Sequence, residues 1–264
     1  IMYRLKAGVS ISFTNTFSEE LKAAKEAGFE CVDFDLTTFW RDREKEIELY
    51  RELDSGLESL DESGLRFNGA HISFGPFWDF SDEDETKRKD AVKRTEKILQ
   101  KCAACKPRCY ILHGSFEPVE ERARGIKIKQ LLTSLRELKN ATAAAICIEN
   151  LPRTCIGNTS EEICEIVDAA DVKVCLDTNH FLFEKPEDAV LKISDRIFTT
   201  HISDYDFIDE RHWLPYMGNI DWNKLVMNLN KIGYSGVFNF ECGKYSYKER
   251  FNAYEKIFGG LGFE

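Results

Sequence analysis

Six apolar runs in this sequence end on a residue that can bind a metal or move a proton. GLRFNGA runs into His71, CYIL into His113 and ICI into Glu149. VCL runs into Asp177, IFTT into His201 and VFNF into Glu241. The steps between these residues are 42, 36, 28, 24 and 40, with a mean of 34, about the length of one strand–helix unit. A carboxylate that closes a buried strand is costly unless it is paired or bound to a cation. Three carboxylates and three imidazoles, all of them residue types that ligate metals, would arrive together at one face. The other two of the five histidines, His180 in DTNH and His212 in ERH, lie just past strand ends. A plainer reading exists for each residue alone: a hydrogen-bonded packing histidine, Asp177 as a helix cap, Glu149 paired with Arg153. That reading must be invoked six times in register.

These residues need elements that carry them to one face. Apolar runs alternate with charged stretches along the whole chain, and eight read as strands: Ala7–Ser12, Cys31–Leu36, Leu65–His71, Arg108–His113, Ile146–Glu149, Val172–Asp177, Arg196–Ile202 and Gly236–Glu241. Several are apolar on both faces, as in Ile146-Cys147-Ile148, which is the mark of a strand covered on both sides. Between them the pattern predicts helices over Ser18–Ala27, Arg43–Leu60, Asp84–Cys105 and Glu120–Lys139, then one capped by Thr159 or Ser160 and running through Ala169. Pro186–Ile193 opens with proline in its first turn, Asp221 can cap Trp222–Ile232, and Tyr247–Phe258 follows. Eight strands alternating with eight helices over 264 residues predict one (β/α)8 barrel domain spanning residues 1–264. Its strand C-termini converge on one face, where catalysis takes place in this architecture.

Composition narrows the function classes. The net charge of −10 gives no basic footprint for nucleic acid, so no nucleic-acid partner is expected. No apolar run approaches a membrane span. Ile1 to Gly8 shows no leader pattern, so a cytoplasmic location is expected. Nine cysteines, an odd number, argue against a disulfide framework. Cys102, Cys105 and Cys109 form the one cluster, a weak zinc signal whose plainer reading is small apolar packing on a helix and the next strand.

The motifs Ile148-Glu149-Asn150, Cys175-Leu176-Asp177-Thr178-Asn179-His180, His201-Ile202-Ser203-Asp204, Glu210-Arg211-His212, Pro215–Trp222 and Phe240-Glu241 give the chain its likeness to a known family. It resembles the xylose isomerase-like TIM barrels, which include sugar isomerases, sugar epimerases and endonuclease IV. The resemblance implies one divalent ion on Glu149, Asp177, His201 and Glu241. Mn²⁺ is favoured by the oxygen donors, with Zn²⁺, Mg²⁺ and Co²⁺ as alternatives. It also implies that Glu149 and Glu241 act as an acid–base pair across the barrel mouth, with His180 and Arg211 at the substrate and His71, His113 and His212 lining the pocket. In endonuclease IV the same frame holds three zinc ions, using positions that match His71, His113, His180 and His212. Here Glu210 departs from that enzyme's Asp-x-His pattern. Pro215-Tyr216-Met217-Gly218 departs from Pro-Gly-x-Gly, which predicts a narrower or reshaped mouth.

The expected function is therefore a metal-dependent isomerase or epimerase acting on a sugar, sugar phosphate or inosose through an enediolate. A small carbohydrate is its expected partner, and self-association is compatible with the sequence. Aromatic residues gather after the second and third strands (Phe39, Trp40, Phe74, Phe77, Trp78, Phe80), where they would either cover a sugar face or pack on one another. An endonuclease IV-type phosphodiesterase is the alternative, and a barrel without catalytic activity is a third reading. No phosphate motif stands out, although Arg153, Lys185 and Lys244 are cations available to one.

Overall fold

The computed structural model describes residues 4–14, 16–37 and 46–260. Its strands are β1 (Lys6–Ser12), β2 (Cys31–Asp35), β3 (Arg66–His71), β4 (Cys109–His113), β5 (Ala145–Glu149), β6 (Lys173–Asp177), β7 (Ile197–Ile202) and β8 (Val237–Phe240). The helices are α1 (Phe17–Ala27), α2 (Glu46–Ser63), α3 (Glu85–Cys102), α4 (Glu121–Asn140), α5 (Ser160–Ala170), α6 (Pro186–Ile193), α7 (Trp222–Lys231) and α8 (Tyr247–Gly259). Each strand pairs in parallel with the next, and β8 pairs with β1 through Lys6↔Val237 to close the barrel. This is the (β/α)8 fold that the alternation predicts.

Strand periodicity sorts the apolar residues into two clusters. Tyr110, Leu112, Ile146, Ile148, Val174 and Leu176 pack under the helices. The residues alternating with them, Cys109, Ile111, Cys147 and Cys175, form a separate cluster in the barrel lumen. Two faces of opposite orientation follow directly from the pleat. The same alternation puts the residue two positions after Cys147 or Cys175 on the lumen side at the strand end, namely Glu149 and Asp177. Lumen packing also accounts for the cysteine cluster. Cys102 is buried in the core beneath the helices, Cys105 Sγ faces Leu57 O, and Cys109 lies inside the barrel. The three cysteines do not converge.

Caps form where side-chain chemistry predicts them. Thr159, not Ser160, caps α5 by accepting from Glu162 N–H, and Asp221 accepts from Lys224 N–H at α7. Asp84 caps α3, so that helix starts one residue later than the pattern implies. It ends at Cys102 in a short 3-10 turn. Phe39, Trp40 and the expected start of α2 at Arg43 lie outside the described residues.

Candidate active site

Barrel closure brings the strand-end residues together. Register sets His113 beside Glu149 and Asp177 beside His201. Glu241 follows β8 directly, its N–H donating to Ile202 O. One ligand atom from each of Glu149, Asp177, His201 and Glu241 lies within 4.8 Å of the others. Above them is a cavity of about 310 Å³ lined by His71, His113, Glu149, His180, His212 and Glu241 together with Asp35, Phe74, Glu117, Arg153 and Glu210, among others. All five histidines of the chain therefore sit at this one face.

Glu149 is the hub. Its Oε2 accepts from His71 Nε2 at 2.9 Å and faces His113 Nε2 at 3.2 Å, and its Oε1 lies 3.0 Å from His201 Nδ1. Burial opposes its ionisation, yet the His201 charge and the imidazole hydrogen bonds hold its carboxyl well below the usual range. Glu241 Oε2 lies 3.2 Å from His201 Nδ1, and its carboxyl is also held low by His201 against the effect of burial. Burial, reinforced by Glu149 and Glu241, pushes Asp177 well above the usual range. Burial works against the charge on His71 too, but the Glu149 hydrogen bond wins and raises it to about 9. His113 is lowered, burial outweighing Glu149.

His180 donates from Nδ1 to Asn150 O at 2.9 Å and faces Glu210 Oε1 from Nε2 at 3.2 Å. Glu210 replaces a shorter Asp of the endonuclease pattern, and here its extra length spans to His180 and Arg153. His212 turns Nδ1 toward Glu241 O.

Two expectations shift. Arg211 is engaged by Asp206 at 2.8 Å, lies beside the Trp213 ring and does not line the cavity. Arg153 lines the cavity instead, held by Glu117, Asp209 and Glu210 rather than by Glu149. Both arginines follow the nearest carboxylates their loops offer, which strand spacing does not reveal. Nor do Tyr216 and Met217 narrow the mouth: they are 40% and 56% exposed and line none of it. Tyr216 has φ +71°, the left-handed region where glycine is at ease, so the departure from Pro-Gly-x-Gly places strain on the backbone rather than bulk in the pocket. Of the aromatic residues, Phe74 lines the cavity and stacks on His113 at 4.6 Å, while Trp78 and Phe80 are buried in the core. Lys185 lies over the Phe207 ring, and neither it nor Lys244 lines the cavity. Asp33, Asp35 and Glu117 escaped the sequence reading. The signal for the first two was the Asp-x-Asp alternation in CVDFD, which aims both side chains into the barrel.

The sequence pattern of the xylose isomerase-like TIM barrels matches residues 21–257. An uncharacterized protein of Methanocaldococcus jannaschii is 28% identical over 154 residues, covering 56% of this chain and 60% of that protein. The chain thus spans less than two thirds of that curated relative. Among solved structures, a 3-keto-D-glucoside 4-epimerase from E. coli superposes with a TM-score of 0.77 at 20% identity, covering 96% of this chain and 99% of that one. A D-psicose 3-epimerase determined in the presence of D-fructose gives 0.76 at 19% identity, covering 98% and 100%. At such identities the likeness is one of fold.

Proposed function

Because this chain belongs to the xylose isomerase-like TIM barrel family, we propose that it is a divalent-metal-dependent isomerase or epimerase of a small carbohydrate. The observation that carries this reading is the convergence of Glu149, Asp177, His201 and Glu241 at the cavity floor. The donor set fits a divalent cation. Three carboxylates crowd one imidazole, and Asp177 Oδ2 is buried with no hydrogen-bond partner among the described residues. An isolated buried carboxylate oxygen is expensive, and a cation there would relieve it. The oxygen-rich set favours Mn²⁺ over softer choices. When bound, such an ion supplies Lewis-acid polarisation of a carbonyl oxygen and its neighbouring hydroxyl.

The rest of the chemistry belongs to the side chains. The rim mixes hydrogen-bonding groups (His113, His180, His212, Glu210) with the apolar wall of Phe74, Phe116 and Leu151, which suits a ring with hydroxyls on its edge and C–H bonds on its face. The two solved neighbours described above are epimerases of a keto-glucoside and of psicose by name, in keeping with a keto sugar. Glu149 and Glu241 come from strands three apart around the barrel, and the charge of His201 lowers the pKa of both against burial. One, ionised, takes the proton beside the carbonyl, and the other, loaded with a proton from water, delivers that proton to the opposite face. Glu241 is 22% exposed and Glu149 1%, so Glu241 is the one that exchanges its proton with water.

The test is turnover of a panel of ketoses, ketose phosphates and inososes with Mn²⁺ in deuterium oxide, read by proton NMR. Label should enter the carbon beside the carbonyl, and Glu241→Gln should lose about 100-fold or more in kcat with KM little changed. Product without label would point to direct hydride transfer instead. Phosphodiester cleavage draws on one further grouping, His71, His113 and Glu149, which could hold a second ion. About three zinc ions per chain together with incision of abasic-site DNA would replace the sugar reading.

A further inference from the structure

Below the cavity floor a column of buried polar groups runs down the barrel. Arg108 Nη1, near the opposite end of the barrel, donates to Asn68 Oδ1 at 2.9 Å. That fixes the amide: Asn68 Nδ2 must point the other way, and it donates to Asp33 Oδ1 at 2.7 Å and to Thr199 Oγ1 at 3.0 Å. Asp33 thereby has one oxygen satisfied. Its other oxygen, Oδ2, lies 3.6 Å from His201 Nε2. Both atoms are fully buried and neither has a hydrogen-bond partner among the described residues. Gly69 keeps the space clear, since a Cβ there would stand 3.2 Å from Asp33 Oδ1.

His201 presents its other nitrogen, Nδ1, to Glu149 and Glu241. To ligate through Nδ1, the neutral ring must carry its proton on Nε2. Asp33 Oδ2 is the carboxylate oxygen that faces this nitrogen, the Cys175 thiol beside the ring being a weaker acceptor, and closing the gap to Asp33 takes only about a few tenths of an ångström.

We infer that Asp33, oriented by Asn68 and Arg108, is a positioning residue that holds His201 in the Nε2–H tautomer and so sets the metal affinity of the site. This inference rests on the metal reading above. Asp33 itself is not one of the four donors. Buried carboxylates behind metal-binding histidines act this way in general, and removing one costs about 10–100-fold in affinity.

The column makes an unusual demand on Asp33→Asn. Asn68 still offers its NH₂, so the new amide must accept with its oxygen and turn its own NH₂ toward His201. The ring is then driven to the Nδ1–H form, which cannot ligate. The double variant Asp33→Asn/Asn68→Asp reverses this. Its carboxylate, now at position 68, accepts from Arg108 and from the amide NH₂ at position 33, and so leaves the oxygen of that amide facing His201.

The experiment is zinc titration by calorimetry, alongside long-range proton–nitrogen NMR of protein labelled with ¹⁵N-histidine. His201 is assigned by its absence in His201→Gln. Asp33→Asn should bind zinc about 10-fold or more weakly than the wild type, with His201 in the Nδ1–H form. The double variant should recover the Nε2–H form and most of the affinity. Wild type that takes up no zinc would overturn the metal reading and this inference with it. Wild type that binds zinc, with Asp33→Asn within about twofold of it and the tautomer unchanged, would overturn the Asp33 role alone. So would a folded double variant that recovers neither property. If Asp33→Asn does not fold, the wild type decides: in the zinc-loaded protein the His201 Nε2 proton should be shifted downfield and exchange slowly. An Nε2 proton exchanging as freely as that of a solvent-exposed imidazole would sink the assignment.

Discussion

At the level of single residues, the site is set by how few partners each buried group has. Glu149 is shared by three imidazoles, whereas Asp177 Oδ2 has none among the described residues. We therefore expect Asp177→Asn to lower the metal content of purified protein and to weaken binding by about tenfold or more, read by elemental analysis and calorimetry. Glu210 makes a different kind of contribution. Burial raises its pKa, but the His180 hydrogen bond and the charges of His180 and Arg153 bring it down to about 2. A carboxyl depressed in the folded state adds stability above its unfolded pKa of about 4.3 and loses it as pH falls through the folded value. Glu210→Gln should therefore cost on the order of 1 kcal/mol at neutral pH, a penalty that shrinks steadily between about pH 4.5 and 2. Urea denaturation of both proteins across that range checks it. A constant penalty would mean that the effect is steric.

Among elements, the signature motifs work mostly as clamps. Asn150 of the IEN motif both donates to Asp177 O and accepts from Asp177 N–H, tying the end of β5 to β6. Thr178 donates to Ser203 O, and Asn179 accepts the N–H groups of Arg211 and His212. Asp204 knots the long loop after β7: its carboxylate accepts from Tyr205 N–H, Tyr216 N–H, Ile220 N–H and Trp222 Nε1–H, all at 2.9–3.2 Å. Gly218 lies so close that a Cβ would sit 2.3 Å from Tyr205 O. Asp204→Ala would strand four donors, so it should destabilise the protein by about 2–4 kcal/mol. It should also raise KM more than it lowers kcat, because the knot sets the loop that carries Glu210 and His212. Gly218→Ala should act in the same direction, since backbone must move. Thermal denaturation and steady-state kinetics test both. Several of the motifs behind the family likeness lie between His201 and Trp222, and apart from His201, Glu210 and His212 the residues of that stretch mainly hold the loop in shape.

For the whole molecule, an ion bound at the proposed site would couple the strands that supply its donors. β5, β6 and β7 and the residue after β8 would each give one, so removing the metal should loosen one half of the barrel together. At roughly 100 times the dissociation constant, metal would add about 2.7 kcal/mol to stability. Chelation should accordingly lower Tm by a few degrees in the wild type and by about half as much or less in Asp177→Asn; equal shifts in the two would place the ion elsewhere. Much of this architecture could be read from the sequence because its causes are local. Two-residue periodicity, capping residues and the group ending each apolar run determined the eight strands, the barrel and the lumen-facing residues from Glu149 to Glu241, since the pleat alone fixes where alternate side chains point. Tertiary structure decided what those groups meet. Arg153 rather than Arg211 reached the cavity, Glu210 spanned to His180, and Asp33 came to lie behind His201. Such pairings depend on the register of strands and the paths of loops far apart in the chain, which no spacing within a single segment encodes.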